Sequence, residues 1–235
     1  MIEVGCCDWK NIKPKSVIGY SWKSSYSSSL QVYASIFNVV ELKSSITKFP
    51  MYSTASRWFK EATSINETFE FVINVSGIFG PDGKPHLNNG DIAKLKYFAK
   101  HLKAKKLLFQ TPSLFEYNVE NLEYIRSLLS KINGYQNIWE PKGTWLTKGF
   151  KDLMLLCIEE NIVLCTDPFK IILKADQPFN YYRLNGFGKI MTYNYKFSKS
   201  ELKILKSKIP KNMHDTYIMF NNTYMCEDAM AFKEM

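Results

Sequence analysis

At 235 residues, with 46% hydrophobic, 15% aromatic and 23% charged residues, the chain has the composition of a folded protein with a sizeable core, in one large domain or two small ones. No apolar run approaches the roughly 18 residues needed to span a bilayer, and the opening MIEVGCCDWK carries no secretory h-region, so a cytoplasmic protein without membrane partners is expected. The formal net charge of +9 favours acidic partners, either nucleic acid or a small phosphorylated or carboxylated molecule.

Ile2–Cys7 reads as a first strand ending at Asp8-Trp9, followed by a polar loop. Ser25–Phe37 is helix-compatible, with Leu30, Tyr33, Ala34 and Phe37 at helical spacing. The second strand starts the stretch VVELKSSITKFP (Val39–Pro50), and Pro50 opens a helix carrying Trp58 and Phe59. Phe69–Asn74 is the third strand. Val75–Gly90 is a Gly/Pro/Asn loop long enough for a lid or binding loop, and it contains His86, a solvated loop histidine in its plainest reading. Asp91–Ala104 is a helix, Leu107–Gln110 a strand, and Asn118 caps a helix that ends at Asn133-Gly134. Asn137–Glu140 is the fifth strand, Leu146–Glu160 the next helix and Ile162–Thr166 the sixth strand. The connection 168–180 is too short for a full helix with two loops. Tyr181–Asn185 is the seventh strand, and Ser198-x-x-Glu201 forms a capping box before Leu202, Leu205 and Ile209. Thr216–Asn221 is the eighth strand, and Asp228–Met235 a closing helix.

Strands alternating with helices imply parallel pairing through right-handed crossovers. About eight such units in this length predict an α/β fold: one (β/α)8 barrel over 1–235, irregular where the sixth helix is short or missing. An open doubly wound sheet is the alternative, weakened because no glycine-rich dinucleotide loop follows the first strand. No internal repeat or linker divides the chain.

The strand ends share a chemistry. They carry Asp8; Glu41 and Lys43; Asn74; Gln110; Glu140; Asp167; Arg183 and Asn185; and Asn221 and Asn222. Turn preference explains Asn and Asp at such positions. It does not explain glutamate, lysine, arginine and glutamine, so a shared polar pocket at the C-terminal face is expected. Glu41, Glu140 and Asp167 are the acid/base candidates. Lys43, Lys142 and Arg183 suit a phosphate or carboxylate ligand, while Asn74, Gln110, Asn185, Asn221 and Asn222 would orient it. Asp8, Glu41, Glu140 and Asp167 offer hard oxygen ligands for a divalent metal, but no histidine joins them and the three cations can neutralise them. No metal or other cofactor is therefore expected to be required. The five cysteines include no CxxC pair and make neither a disulfide framework nor a zinc site. Most lysines of KHLKAKK (Lys100–Lys106) and LKILKSKIPK (Leu202–Lys211) fall on amphipathic helices without interleaved aromatics. Surface solvation is their simpler reading, and nucleic-acid binding the alternative.

Several segments, in order, resemble a known family. VELKSSITKFP is similar to the VEINSTFYRLP-type segment of the YecE-like proteins, the domain-of-unknown-function 72 family. GCCDW (Gly5–Trp9) resembles G-x-S-G-W, RWFKEA (Arg57–Ala62) the R-W segment, and FEFVINVS (Phe69–Ser76) F-x-F-x-V-K-A-P. LLFQTPSLF (Leu107–Phe115) resembles L-F-Q-L-P-P-S-F, WEPKGTW (Trp139–Trp145) W-E-P-R-G-x-W, YYRLNG (Tyr181–Gly186) Y-x-R-L-H-G, and IMFNN (Ile218–Asn222) the closing F-N-N. The resemblance implies a TIM barrel of no established reaction, with Glu41, Gln110, Glu140, Arg183, Asn221 and Asn222 as pocket residues. Lys43 stands where the family pattern has asparagine, and Asn74 where it has lysine. An exchange between neighbouring strands would bring the Lys43 ammonium into contact with Asn74 or Glu41. Asn185 replaces histidine and Lys142 replaces arginine, which weakens the family's acid/base and bidentate chemistry.

Overall fold

The computed structural model describes residues 1–45, 48–80, 82–171, 177–187, 193–210 and 215–235. Eight parallel strands close into a barrel in chain order. They are β1 (Ile2–Cys6), β2 (Val39–Ser45), β3 (Glu70–Ser76), β4 (Lys106–Gln110), β5 (Gln136–Glu140), β6 (Val163–Thr166), β7 (Phe179–Leu184) and β8 (Asp215–Phe220). Closure leaves no unpaired edge, and β1 completes it by pairing with β8 from Ile2↔Thr216 to Cys6↔Phe220. Parallel neighbours require crossovers, and helices supply them on the outside.

A four-residue α1 (Pro14–Val17) precedes α2 (Ser29–Ala34), and α3 (Tyr52–Thr63), α4 (Asn89–Leu102), α5 (Val119–Lys131), α6 (Phe150–Glu159), α7 (Lys199–Lys208) and α8 (Met225–Lys233) follow. α2 is shorter than its hydrophobic spacing suggests because Ser28 caps it, its hydroxyl accepting from the Gln31 amide at 3.3 Å. The predicted helix at Leu146 starts only at Phe150, after a 3₁₀ turn over Gly143–Leu146. Asn88 and Ser198 both make complete capping boxes, and Asn118 accepts from Asn121 N at 2.8 Å. Among the described residues no helix lies between β6 and β7; residues 172–176 of that connection are outside them. The long loop after β3 folds back on itself through an antiparallel bridge between Phe79 and Pro85.

Two apolar layers result from the alternation of strand side chains. Outward residues such as Val40, Phe71, Ile73, Leu107, Phe109 and Leu164 pack under the helices. Inward residues Val39, Val72, Leu108, Ile138, Val163, Tyr181, Tyr217 and Met219 fill the barrel. Gly5 is required here, since a Cβ would sit 2.3 Å from the Val39 carbonyl oxygen. The amino-terminal end carries its own polar group: Lys106 Nζ lies 2.6 Å from Glu70 and 4.8 Å from the Tyr217 ring centre, and the Tyr217 hydroxyl donates to Glu70 at 3.0 Å.

Candidate functional site

One turn further along the strands, the inward positions at the carboxyl end are polar. Pleating sets this directly: Val39 and Glu41, Val72 and Asn74, Leu108 and Gln110, Ile138 and Glu140, and Tyr181 and Arg183 are pairs two residues apart. Five of these side chains close a ring. Asn74 Nδ2 donates to Glu41 Oε1 at 2.6 Å and to Gln110 Oε1 at 3.3 Å. Gln110 Nε2 donates to Glu140 Oε2 at 2.7 Å. Arg183 completes the circuit, with Nη1 to Glu140 Oε2 at 3.3 Å and Nε to Glu41 Oε1 at 3.0 Å. Tyr181 adds a hydroxyl to Glu41 Oε2 at 3.0 Å.

The two glutamates differ in access. Glu41 is 0% exposed and already accepts from three groups, so it anchors the ring. The Glu140 side chain is 15% exposed and borders a cavity of about 210 Å³. Arg183 lines the same cavity. Burial alone would lower its pKa, but Glu41 foremost, then Cys7 and Glu140, raise it well above the ordinary value, so the guanidinium stays charged. Its Nη2 bonds none of the described residues. Asn74 Oδ1 is buried without a partner among the described residues.

Two thiols flank the ring. Cys7, at the end of β1, sits beside Glu41 and Arg183, and Cys165 of β6 has its sulfur 4.0 Å from Glu140 Oε2. Burial, joined by the nearby carboxylates, pushes both thiols well above their ordinary pKa, against a smaller opposing pull from Arg183. Tyr181 is raised in the same way, by burial and then Glu41. These groups are protonated near neutral pH and make weak nucleophiles.

The remaining sequence candidates separate. Lys142, Asp167 and Asn185 line the cavity with Glu140 and Arg183. Asp167 also shapes its own turn, accepting from Phe169 N at 3.0 Å and pairing with Lys170 at 3.4 Å. Asn221 Nδ2 donates to Asn185 Oδ1 at 2.5 Å and so fixes the amide that faces the cavity. Asn222 turns elsewhere: its Nδ2 donates to Asp228 Oδ2 at 2.6 Å and to the Tyr195 carbonyl, tying α8 to the segment before α7. The expected Lys43 contact is absent. Lys43 is exposed, and among the described residues its ammonium pairs with neither Glu41 nor Asn74. Among the described residues Glu41 is held by Asn74, Tyr181 and Arg183, so the exchange of lysine between strands does not bring the Lys43 cation into the ring. Lys43 has the inward register, but at the open end of β2 a long, strongly hydrated side chain reaches water at little cost. His86 pairs with Asp82 at 3.6 Å on the surface.

Nor do the four carboxylates converge on a metal. Asp8 faces Lys10, Glu41 and Glu140 share Arg183, and among the described residues no group of three or more His, Cys, Asp and Glu can hold an ion. Tyr181, Cys7, Cys165, Leu146 and Lys170 were not among the sequence candidates. Tyr181 carried a legible signal, two residues before Arg183 on one strand face. The others did not, because a barrel brings them together from distant strand ends and loops.

Asp8 departs from the family-type pattern, in which glycine follows the serine-like position held here by Cys7. Its φ is 146°, a conformation L residues seldom adopt, and its carboxylate accepts from the Lys10 amide at 3.0 Å.

Comparison with known proteins agrees with this architecture. A curated relative, the UPF0759 protein YunF of Bacillus subtilis (strain 168), is 23% identical over 271 residues, spanning 100% of this chain and 93% of the relative. Two crystal structures of a DUF72 family protein from Enterococcus faecalis V583 superpose with TM-scores of 0.78 and 0.74 at 19% and 22% identity. They cover 100% of this chain in both cases, and 94% and 96% of those chains. No helix among the described residues is long and apolar enough to cross a membrane. The model of the family described as "Protein of unknown function DUF72" matches residues 3–235, and the chain belongs to that family.

Proposed function

We propose that the carboxyl-end cavity binds a small anionic metabolite and that Glu140 acts on it as a general acid or base. The observation that carries this reading is the division of labour within the ring. Glu41 is sealed and saturated, which leaves it to orient Arg183, whereas Glu140 and Arg183 both border the cavity. A charged guanidinium held by two carboxylates has little freedom to lose on binding, so its remaining N–H groups are preorganised for an oxyanion. Lys142 adds a cation at the cavity, and Asn185, held by Asn221, orients the ligand while Gln110 holds Glu140. Asp167 takes a supporting place as a wall and turn-forming residue.

Nucleic-acid binding would call for lysines gathered at this mouth. Among the described residues, Lys142 and Lys170 border the cavity, with Lys170 engaged by Asp167, while the lysines of α4 and α7 sit on separate helices of the outer ring. The small-ligand reading is therefore preferred.

Thermal shift of wild type and Glu140→Gln against organic acids, sugar phosphates, nucleotides, divalent metals and short oligonucleotides tests it. A ligand at about 100 Kd stabilises by roughly 2.7 kcal/mol, a readable shift. A small anion that stabilises wild type and responds to Glu140→Gln supports the reading. Stabilisation by oligonucleotides alone, abolished by salt, would overturn it, and tight binding without turnover would remove the acid/base role.

A further inference from the structure

The charge and the apolar lining of the cavity narrow the ligand further than the word anion does. Among the described residues, the lining cations are Lys142, Lys170 and Arg183, and the lining carboxylates are Glu140 and Asp167. Arg183 is also held by Glu41, which lies beneath the cavity. Among the described residues, three positive charges thus meet three negative ones. A phosphomonoester, carrying close to two negative charges at neutral pH, would meet Glu140 and Asp167 as well as the cations. A single negative charge is a better match for one free guanidinium nitrogen with a lysine near it.

The uncharged part of the lining is mostly apolar: Pro141, Leu146, Ile171 and the protonated thiol of Cys165, beside Thr166 and Asn185. The apolar surface gains by covering hydrocarbon.

Resting on the anion-site reading above, we propose that the ligand is a small organic monocarboxylate with an apolar body, its carboxylate on Arg183 and Lys142 and its hydrocarbon against Leu146 and Ile171. The probes are acetate, hexanoate, benzoate, ribose 5-phosphate and inorganic phosphate, titrated by calorimetry into wild type, Leu146→Ser and Lys142→Ala. Leu146 is half-buried at the cavity edge, so serine there is expected to leave the fold intact, as thermal melts will show. Benzoate or hexanoate should bind wild type at least tenfold more tightly than acetate. Leu146→Ser should erase most of that margin while leaving acetate unchanged, and Lys142→Ala should weaken all carboxylates by a similar factor. Tighter binding of phosphate or ribose 5-phosphate than of benzoate, or a benzoate margin indifferent to Leu146→Ser, would overturn the monocarboxylate proposal and leave the anion site standing. Failure of every probe to bind wild type would overturn both.

Discussion

Replacing Arg183 with methionine removes one cation from two carboxylates at once. Glu41 is 0% exposed and keeps only Asn74 and Tyr181 as donors, while Glu140 keeps Gln110. Breaking a buried pair on one side costs about 3–5 kcal/mol, because the surviving charge stays buried without compensation. For a chain of this size each kcal/mol moves Tm by roughly 2–4 °C, so Arg183→Met should lower it by about 6–20 °C. Urea unfolding gives the free energy directly, with an unchanged slope marking an effect on stability and not on the unfolded ensemble. The double variant Arg183→Met with Glu41→Gln should recover at least about 1 kcal/mol relative to the sum of the single changes, because an amide replaces the stranded charge. A loss below about 1 kcal/mol for Arg183→Met, or strict additivity in the double variant, would refute the view that Glu41 exists in this barrel as the partner of Arg183.

Further predictions concern the backbone, the buried thiols and the loop ties. Asp8→Gly should stabilise by about 1 kcal/mol in urea melts, since glycine occupies a φ of 146° without strain; a destabilised variant would mean that the Asp8–Lys10 contacts outweigh it. Gly5→Ala should cost about 1–3 kcal/mol or more through its clash with the Val39 carbonyl 2.3 Å away. Asn222→Ala should lower stability by about 1–3 kcal/mol by freeing Asp228, and leave ligand affinity within twofold. The alkaline limb has a defined sign. Burial pushes the Cys157 thiol from 9.0 to about 12, so the unfolded chain releases that proton first, and stability present below about pH 9 is lost as pH rises toward 12. Cys157→Ala should flatten that limb in melts taken between pH 8 and 11.

The chain order of elements was legible because each rests on local rules: capping residues before helices, apolar runs closed by polar strand ends, and connections of crossover length. Glu41, Asn74, Gln110, Glu140 and Arg183 were legible as candidates for the same reason, since alternation puts each two residues after a barrel-filling apolar side chain. Their circular hydrogen bonding was not, because it depends on closure and on the register between strands, such as Lys43↔Asn74 and Gln110↔Glu140. Only the folded barrel separates a sealed Glu41 from an accessible Glu140, sends Asn222 to Asp228, and leaves Lys43 at the rim with water. Sequence determines which side chains stand on the inner face. Burial and partnership, which set their charge and access, are properties of residues as far apart as Glu41 and Arg183, joined once the eighth strand meets the first.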